Sequence, residues 1–386
     1  QFRGPGGEGI SSETGLPATW SERENVRWKV ALPGKGWSSP VIAGDEIWLT
    51  TATENNRSLR AISIDTNSGK LRSDVEVFRL SAPVAGHAKN SAASPSAVIE
   101  GDRVYAHFGA YGTACLRRDG TIVWRNQELR YSQAHGPAGS PVLYENLLFL
   151  NCDGHDTQFV VALDKNTGKV VWRKARPSAM AYSTPLVIKT PAGPQLVSPG
   201  AHRAISYDPR TGDELWSVSY GDGFSNVPRP VFARSMVFLC TGFYQPELLA
   251  VRVDGRGDVT ASHVAWKYGR GVPLTSSPLA AREQIYMVSD NGILTALDIR
   301  SGREIWRQRL GGNYSASPLF ADGRIYLLSE EGETTVIAPG PVFRRLASNV
   351  LDGRFLASIA VSSGALYLRS GTHLYRIQGR ERAQGR

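Results

Sequence analysis

A short step made of a small or hydroxyl residue followed by proline recurs along the chain at spacings of 40 to 55 residues. It stands at Ser39–Pro40, Ser94–Pro95, Ser140–Pro141, Thr184–Pro185, Ser277–Pro278 and Ser317–Pro318. Arg229–Pro230 fills the gap in the series, and Ser358–Ile359 closes it without the proline. Each step opens an apolar strand, a short turn and a second strand, as in Pro318-Leu319-Phe320, Ala321-Asp322-Gly323 and Arg324-Ile325-Tyr326-Leu327-Leu328. A fixed period of this length means a repeat architecture and takes precedence over any reading of isolated segments.

A second signature follows within most repeats: a strand, Asp, a few turn residues, Gly, then a strand carrying Trp. Asp164 to Gly168 leads to Trp172, Asp208 to Gly212 leads to Trp216, and Asp298 to Gly302 leads to Trp306. Asp119–Gly120 leads to Trp124, and a longer version runs from Asp254 to Trp266. Asp and Gly serve the tight turn. These tryptophans, with Trp28, are expected to be structural wedges between neighbouring repeats. Four antiparallel strands at this period make a propeller blade. The proline fits that assignment, because it lacks an N–H and belongs at the start of an edge strand, here the innermost strand facing the channel.

The steps count eight blades. Residues 25–31 read as a fourth strand with no first three before it, while the last repeat, from about residue 355, has no fourth strand. The expected fold is therefore all-β: an eight-bladed β-propeller of four-stranded antiparallel blades, with the ring closed by the N-terminal strand completing the last blade. The chain divides into an N-terminal arm (1–23), a single propeller (24–378) and a basic C-terminal tail (379–386). Two repeats are degenerate: the first has no Trp in its fourth strand, and the seventh replaces the Asp–Gly turn with Ala338-Pro339-Gly340-Pro341.

The segment ALDKNTGKVVWRK and its siblings resemble the repeat of the PQQ-like (pyrroloquinoline-quinone-like) β-propeller family, over about residues 24–378. The opening residues, QFRGPGGEGISSETGLPATW and onward, resemble the start of secreted bacterial proteins of this repeat class. That resemblance implies a periplasmic or secreted location. Quinoprotein alcohol dehydrogenases share the repeat and hold PQQ with Ca²⁺ in the channel. They typically carry a vicinal Cys–Cys disulfide, and no two cysteines are adjacent here. Their Ca²⁺-ligand set of Glu, Asn and Asp finds no convincing match. The propeller lipoprotein of the outer-membrane barrel assembly machinery shares the repeat too, and it is a noncatalytic scaffold.

Cys115, Cys152 and Cys240 are too few and too scattered for a disulfide framework and read as buried thiols. The net charge is +9, with a basic cluster at Arg376, Arg380, Arg382 and Arg386, but no nucleic-acid motif accompanies it, so nucleic acid is not an expected partner. No apolar run is long enough to span a membrane as a helix. A monomer is expected.

Function on such a scaffold belongs to the loops. Those entering the inner strands offer Trp37, Asn90, His135, Tyr182, Asn226, Arg229 and Tyr314 as ligand-binding residues at the channel mouth. This aromatic and amide inventory suits a small polar ligand, a glycan or a protein segment. The same residues read alternatively as a plug, with Trp37, Tyr182 and Tyr314 packed on one another. No Ser-His-Asp set, HExxH or phosphate loop is present, so no catalytic residue is assigned. His135, Asp153 and His155 are a candidate site for Zn²⁺ or another divalent ion. The reading that follows is a noncatalytic extracytoplasmic scaffold that binds a ligand or a protein, with no cofactor. The alternatives are a quinone- or metal-dependent enzyme at the mouth, with PQQ and Ca²⁺ or a divalent metal, and a glycan-binding or glycan-processing module.

Overall fold

The computed structural model describes residues 1–84 and 86–379. They form eight sheets, each built on four antiparallel strands, arranged as a closed propeller. One short 3-10 turn, Gly109–Tyr111, is the only helical element among the described residues. The innermost strands are Val41–Ala43, Val98–Glu100, Val142–Tyr144, Leu186–Thr190, Val231–Ala233, Leu279–Ala281, Leu319–Ala321 and Ala360–Ser362. The eighth blade is completed by Val26–Ala31, which pairs antiparallel with His373–Ile377. Of the basic cluster, Arg376 donates to the Thr66 carbonyl at 2.7 Å, while Arg380, Arg382 and Arg386 lie outside the described residues.

The recurring hydroxyl has a physical role. In seven of the eight blades it sits just before the innermost strand, and its Oγ accepts a backbone N–H from the preceding blade. Ser39 N donates to Ser96, Ser96 to Ser140, Ser140 to Thr184, Arg229 to Ser277, Ser277 to Ser317, Ser317 to Ser358, and Ser358 back to Ser39, all at 2.8–3.0 Å. The belt has one gap, between Thr184 and Arg229, because arginine has no acceptor atom. In the second blade the expected register is corrected. Ser96, not Ser94, supplies the hydroxyl, and Ala97 stands where every other blade but the eighth has proline. Ser94–Pro95 lies two residues upstream, in a loop tied together by Ser91 and Asn90. Removing one belt hydroxyl strands a buried N–H. Ser317→Ala is expected to cost about 1–3 kcal/mol in urea unfolding, the price of an unpaired buried donor.

The tryptophans join blades from the outside. The indole N–H donates to a backbone carbonyl in the next blade's turn: Trp28 to Thr66, Trp124 to Lys165, Trp172 to Pro209, Trp266 to Ile299 and Trp306 to Gly340, at 2.9–3.3 Å. Trp216 is the exception and donates to Gln195 Oε1 of its own blade at 2.8 Å. The turn glycine lies flat on the indole, so that a Cβ at Gly302 would stand 2.5 Å from the Trp266 ring. Both degenerate repeats keep this docking. Val75 takes the place of the first blade's missing Trp under Gly120, and Gly340 of the Pro-rich turn supplies the carbonyl for Trp306. The longer fifth repeat adds a feature that was not expected. Its residues Gly257–Asp258 pair in parallel with Trp216–Ser217 and give the fourth blade a fifth strand.

The N-terminal arm is docked along most of its length. Ile10 bridges Phe320, Leu16 N donates to Asp322, Trp20 stacks on Tyr326, and Glu13 accepts from the backbone of Ser363 and Gly364. Its first residues enter the channel, where Phe2 O accepts from Arg229 at 2.9 Å.

Candidate functional site

The inner-strand entry loops and the loops between the second and third strands meet over one end of the channel and enclose a cavity of about 530 Å³. One wall is a stack of three rings. His135 lies between His87, at 5.6 Å and 13°, and Tyr182, at 5.7 Å and 28°. Burial and the neighbouring His87 hold the His135 imidazole below its ordinary pKa. Asn90 ties this wall together: its amide donates to His135 O at 2.7 Å and its oxygen accepts from Ser91 N. Trp37, buried and packed against Gly371, forms another part of the lining.

A second aromatic pair, Phe224 and Tyr244, stacks at 6.0 Å beside Phe243. Tyr244 is 77% exposed and Phe243 46%, and Tyr244 holds φ at +71°. A bulky residue in the left-handed region costs about 1–2 kcal/mol, so the fold keeps this ring at the rim against its local preference. Phe2 lines the cavity as well, brought there by the arm.

The charged groups at the mouth are already engaged. Glu330 accepts from Lys89 at 2.8 Å, Ser315 at 2.6 Å and Arg354 at 3.3 Å. Burial works to raise its pKa, but the hydrogen bonds from Lys89 and Ser315 hold the carboxyl below the usual range. Asp290 accepts from the Leu274 N–H at 2.7 Å and from the Thr275 hydroxyl.

The residues expected at the mouth therefore divide. Trp37, Asn90, His135 and Tyr182 line one cavity. Asn226, Arg229 and Tyr314 do not. Asn226 is fully buried, with its amide 3.4 Å from the Tyr220 hydroxyl. Arg229 lies deeper in the channel against the arm. Tyr314 sits in the core between the sixth and seventh blades, so the alternative plug of Trp37, Tyr182 and Tyr314 does not form as read. All three are on entry loops, but their side chains turn inward. Phe224, Phe243 and Phe2 were missed. The Gly242-Phe243-Tyr244 run was a usable signal, since adjacent aromatics after a glycine in a loop have no core-facing alternation.

The divalent-metal alternative is corrected. Asp153 and Arg176 form an ion pair with both side chains at 0% exposure, so the carboxylate is fully engaged by a guanidinium. His155 is exposed, its backbone N held by Ser132 O, and His135 belongs to the ring stack. No group of three His, Cys, Asp or Glu among the described residues is placed to hold a metal ion. The donor set at the mouth fits Ca²⁺ with a polycarboxylate quinone no better. Its acidic groups are committed to Lys89, Arg354 and backbone donors, and its Lys89 is committed to Glu330. The three cysteines are buried separate thiols.

A family model described as outer membrane protein assembly factor BamB matches residues 11–150, 64–266 and 203–339, overlapping segments that together cover most of the ring. The chain belongs to the BamB family. No curated protein matches it in sequence. Among solved structures, BamB from Moraxella catarrhalis superposes with a TM-score of 0.67 at 13% identity, covering 93% of this chain and 99% of that one. Quinohemoprotein alcohol dehydrogenase from Comamonas testosteroni gives 0.72 at 10% identity over 99% of this chain and 80% of that one. A europium-containing methanol dehydrogenase gives 0.68 at 9% identity, over 96% and 88%. At these identities the superpositions establish the shared propeller fold. No helix among the described residues is long and apolar enough to cross a membrane.

Proposed function

We propose that this BamB-family propeller is an extracytoplasmic, noncatalytic scaffold whose channel mouth takes up a segment of a protein partner. The observation that carries the reading is the exposed Phe243–Tyr244 pair, held at a conformational cost over a cavity with aromatic walls. Aromatic rings around a pocket anchor protein partners with little loss of side-chain freedom. A glycan is favoured less. It needs free polar groups to orient its hydroxyls, and here the belt hydroxyls already accept backbone N–H groups while Glu330, Asp290 and Asn90 are engaged. The extracytoplasmic location rests on the family name and on the resemblance of the N-terminal arm.

Panning displayed random linear peptides on the chain tests this reading. Aromatic-rich peptides are expected to bind the wild type and to lose at least about tenfold in affinity on Tyr182→Ala/Tyr244→Ala, the loss of about 1.4 kcal/mol of anchor energy. Binding that survives both substitutions rules out the mouth as the site. Dye-coupled oxidation of an alcohol after adding PQQ and Ca²⁺ would overturn the noncatalytic assignment.

A further inference from the structure

The channel beneath the mouth holds two positive charges with no matching anion in contact. Arg3 and Arg229 are 6% and 1% exposed. Arg229 donates Nε to Pro185 O at 3.2 Å and Nη1 to Phe2 O at 2.9 Å; Arg3 donates Nη2 to Pro278 O at 2.8 Å. Every one of these acceptors is a neutral carbonyl. Nε and Nη1 of Arg3 are buried with no partner at all. Among the described residues neither guanidinium makes an ion pair. Glu8 is the carboxylate whose field reaches both, but it is half-buried and bonds to neither.

Backbone closes over the pair. A Cβ on Gly9 would stand 2.6 Å from Arg3 Nη2, and one on Gly7 would overlap the Arg229 guanidinium. This accounts for the Gly-Pro-Gly-Gly-Glu-Gly run of the arm, which lets peptide planes lie flat on two cations. Burial depresses both groups, and Arg229 adds to the effect on Arg3, yet Arg3 at about 9 and Arg229 at about 10 stay charged at neutral pH. A buried charge without a counter-charge costs several kcal/mol.

We infer that Arg3 and Arg229 bind one small monovalent inorganic anion of the halide class, enclosed in the channel below Phe2. With Glu8 ionised, one such ion brings the local charge to zero. A dianion such as sulfate would overshoot neutrality and is more expensive to desolvate, because that cost rises with the square of the charge.

The test uses the whole chain in sodium salts at constant ionic strength, with chloride or bromide compared against gluconate, an anion too large to be enclosed. At about a hundred times its dissociation constant chloride should raise the unfolding temperature by about 3 °C over gluconate. Arg229→Ser should remove that difference while folding well, since serine supplies the hydroxyl the belt lacks at this position. Crystals of the wild type grown in bromide should show one anomalous peak at the Arg3 and Arg229 guanidiniums, a readout independent of how the variant folds. The inference fails if halide and gluconate give the same unfolding temperature and no peak is found. It fails equally if Arg229→Ser keeps the full halide response, because the ion would then bind elsewhere.

Discussion

Arg176→Met is expected to lower stability by about 3–5 kcal/mol at neutral pH, although it touches neither the mouth nor the belt. Arg176 and Asp153 are both fully buried, joined by Nε to Oδ1 at 2.8 Å and by a second contact from Nη2, and Arg176 also donates to Ser198. The pair itself need add little to stability. Its importance is that either half alone is an uncompensated buried charge. Burial already pushes the Asp153 carboxyl above its ordinary pKa, against the pull of Arg176, and removing the guanidinium raises it further. A carboxyl with a raised folded-state pKa favours the fold while it is protonated. That contribution is fully present below the unfolded pKa and is lost as pH rises through the folded one. The deficit of Arg176→Met relative to wild type should therefore be largest at neutral pH and shrink on acidification. Urea unfolding of both proteins at pH 7 and near pH 4.5 checks this, and an equal deficit at both would refute it. Arg176→Met/Asp153→Leu should recover most of the loss, because it removes both charges together.

The second large effect is expected from two glycines that look alike in sequence and backbone. Gly302 has φ +68° and Gly323 has φ +69°. Alanine at Gly323 meets nothing within 4 Å, so only the left-handed backbone resists it, at about 1 kcal/mol. Alanine at Gly302 puts a carbon 2.5 Å from the Trp266 ring and pushes the indole off the Ile299 carbonyl that it reaches at 3.3 Å. Overpacking then adds to backbone strain, for about 3 kcal/mol in total. Equal losses for the two variants in parallel unfolding curves would mean that Trp docking contributes nothing between blades.

What the sequence revealed and what it hid follow from the range of the interactions. Blade number, strand content and ring closure rest on local signals: a proline that can sit only at an edge, an Asp–Gly turn, and a lone fourth strand at residues 25–31. Ser94–Pro95 misled because it carries the same local signal two residues out of register. Which wall of a loop a side chain faces is set by partners far along the chain. Asn226 and Tyr314 were therefore placed on the correct loops but on the wrong side of them. Asp153 looked like a metal ligand until its partner Arg176, just past the outermost strand of the same blade, came into view. The arm was hardest of all. Nothing near Gly4 to Gly9 shows that its neighbours are Arg229 and Phe320.

Closure of the eighth blade also imposes an order on folding. Val26–Ala31 precedes its partner His373–Ile377 by about 350 residues, so a chain emerging N-terminus first, from a ribosome or across a membrane, presents it long before that partner arrives. Over that interval the seven sequential blades can each form hairpin by hairpin, but the first strand has no sheet to join, and the arm lacks the later-made groups at Arg229, Phe320 and Asn349 that hold it. This strand and the arm before it are thus the last to be fixed in place. Until then it is an open strand with an apolar flank at Leu16 and Trp20, the form in which a nascent propeller is most exposed to pairing with the wrong chain.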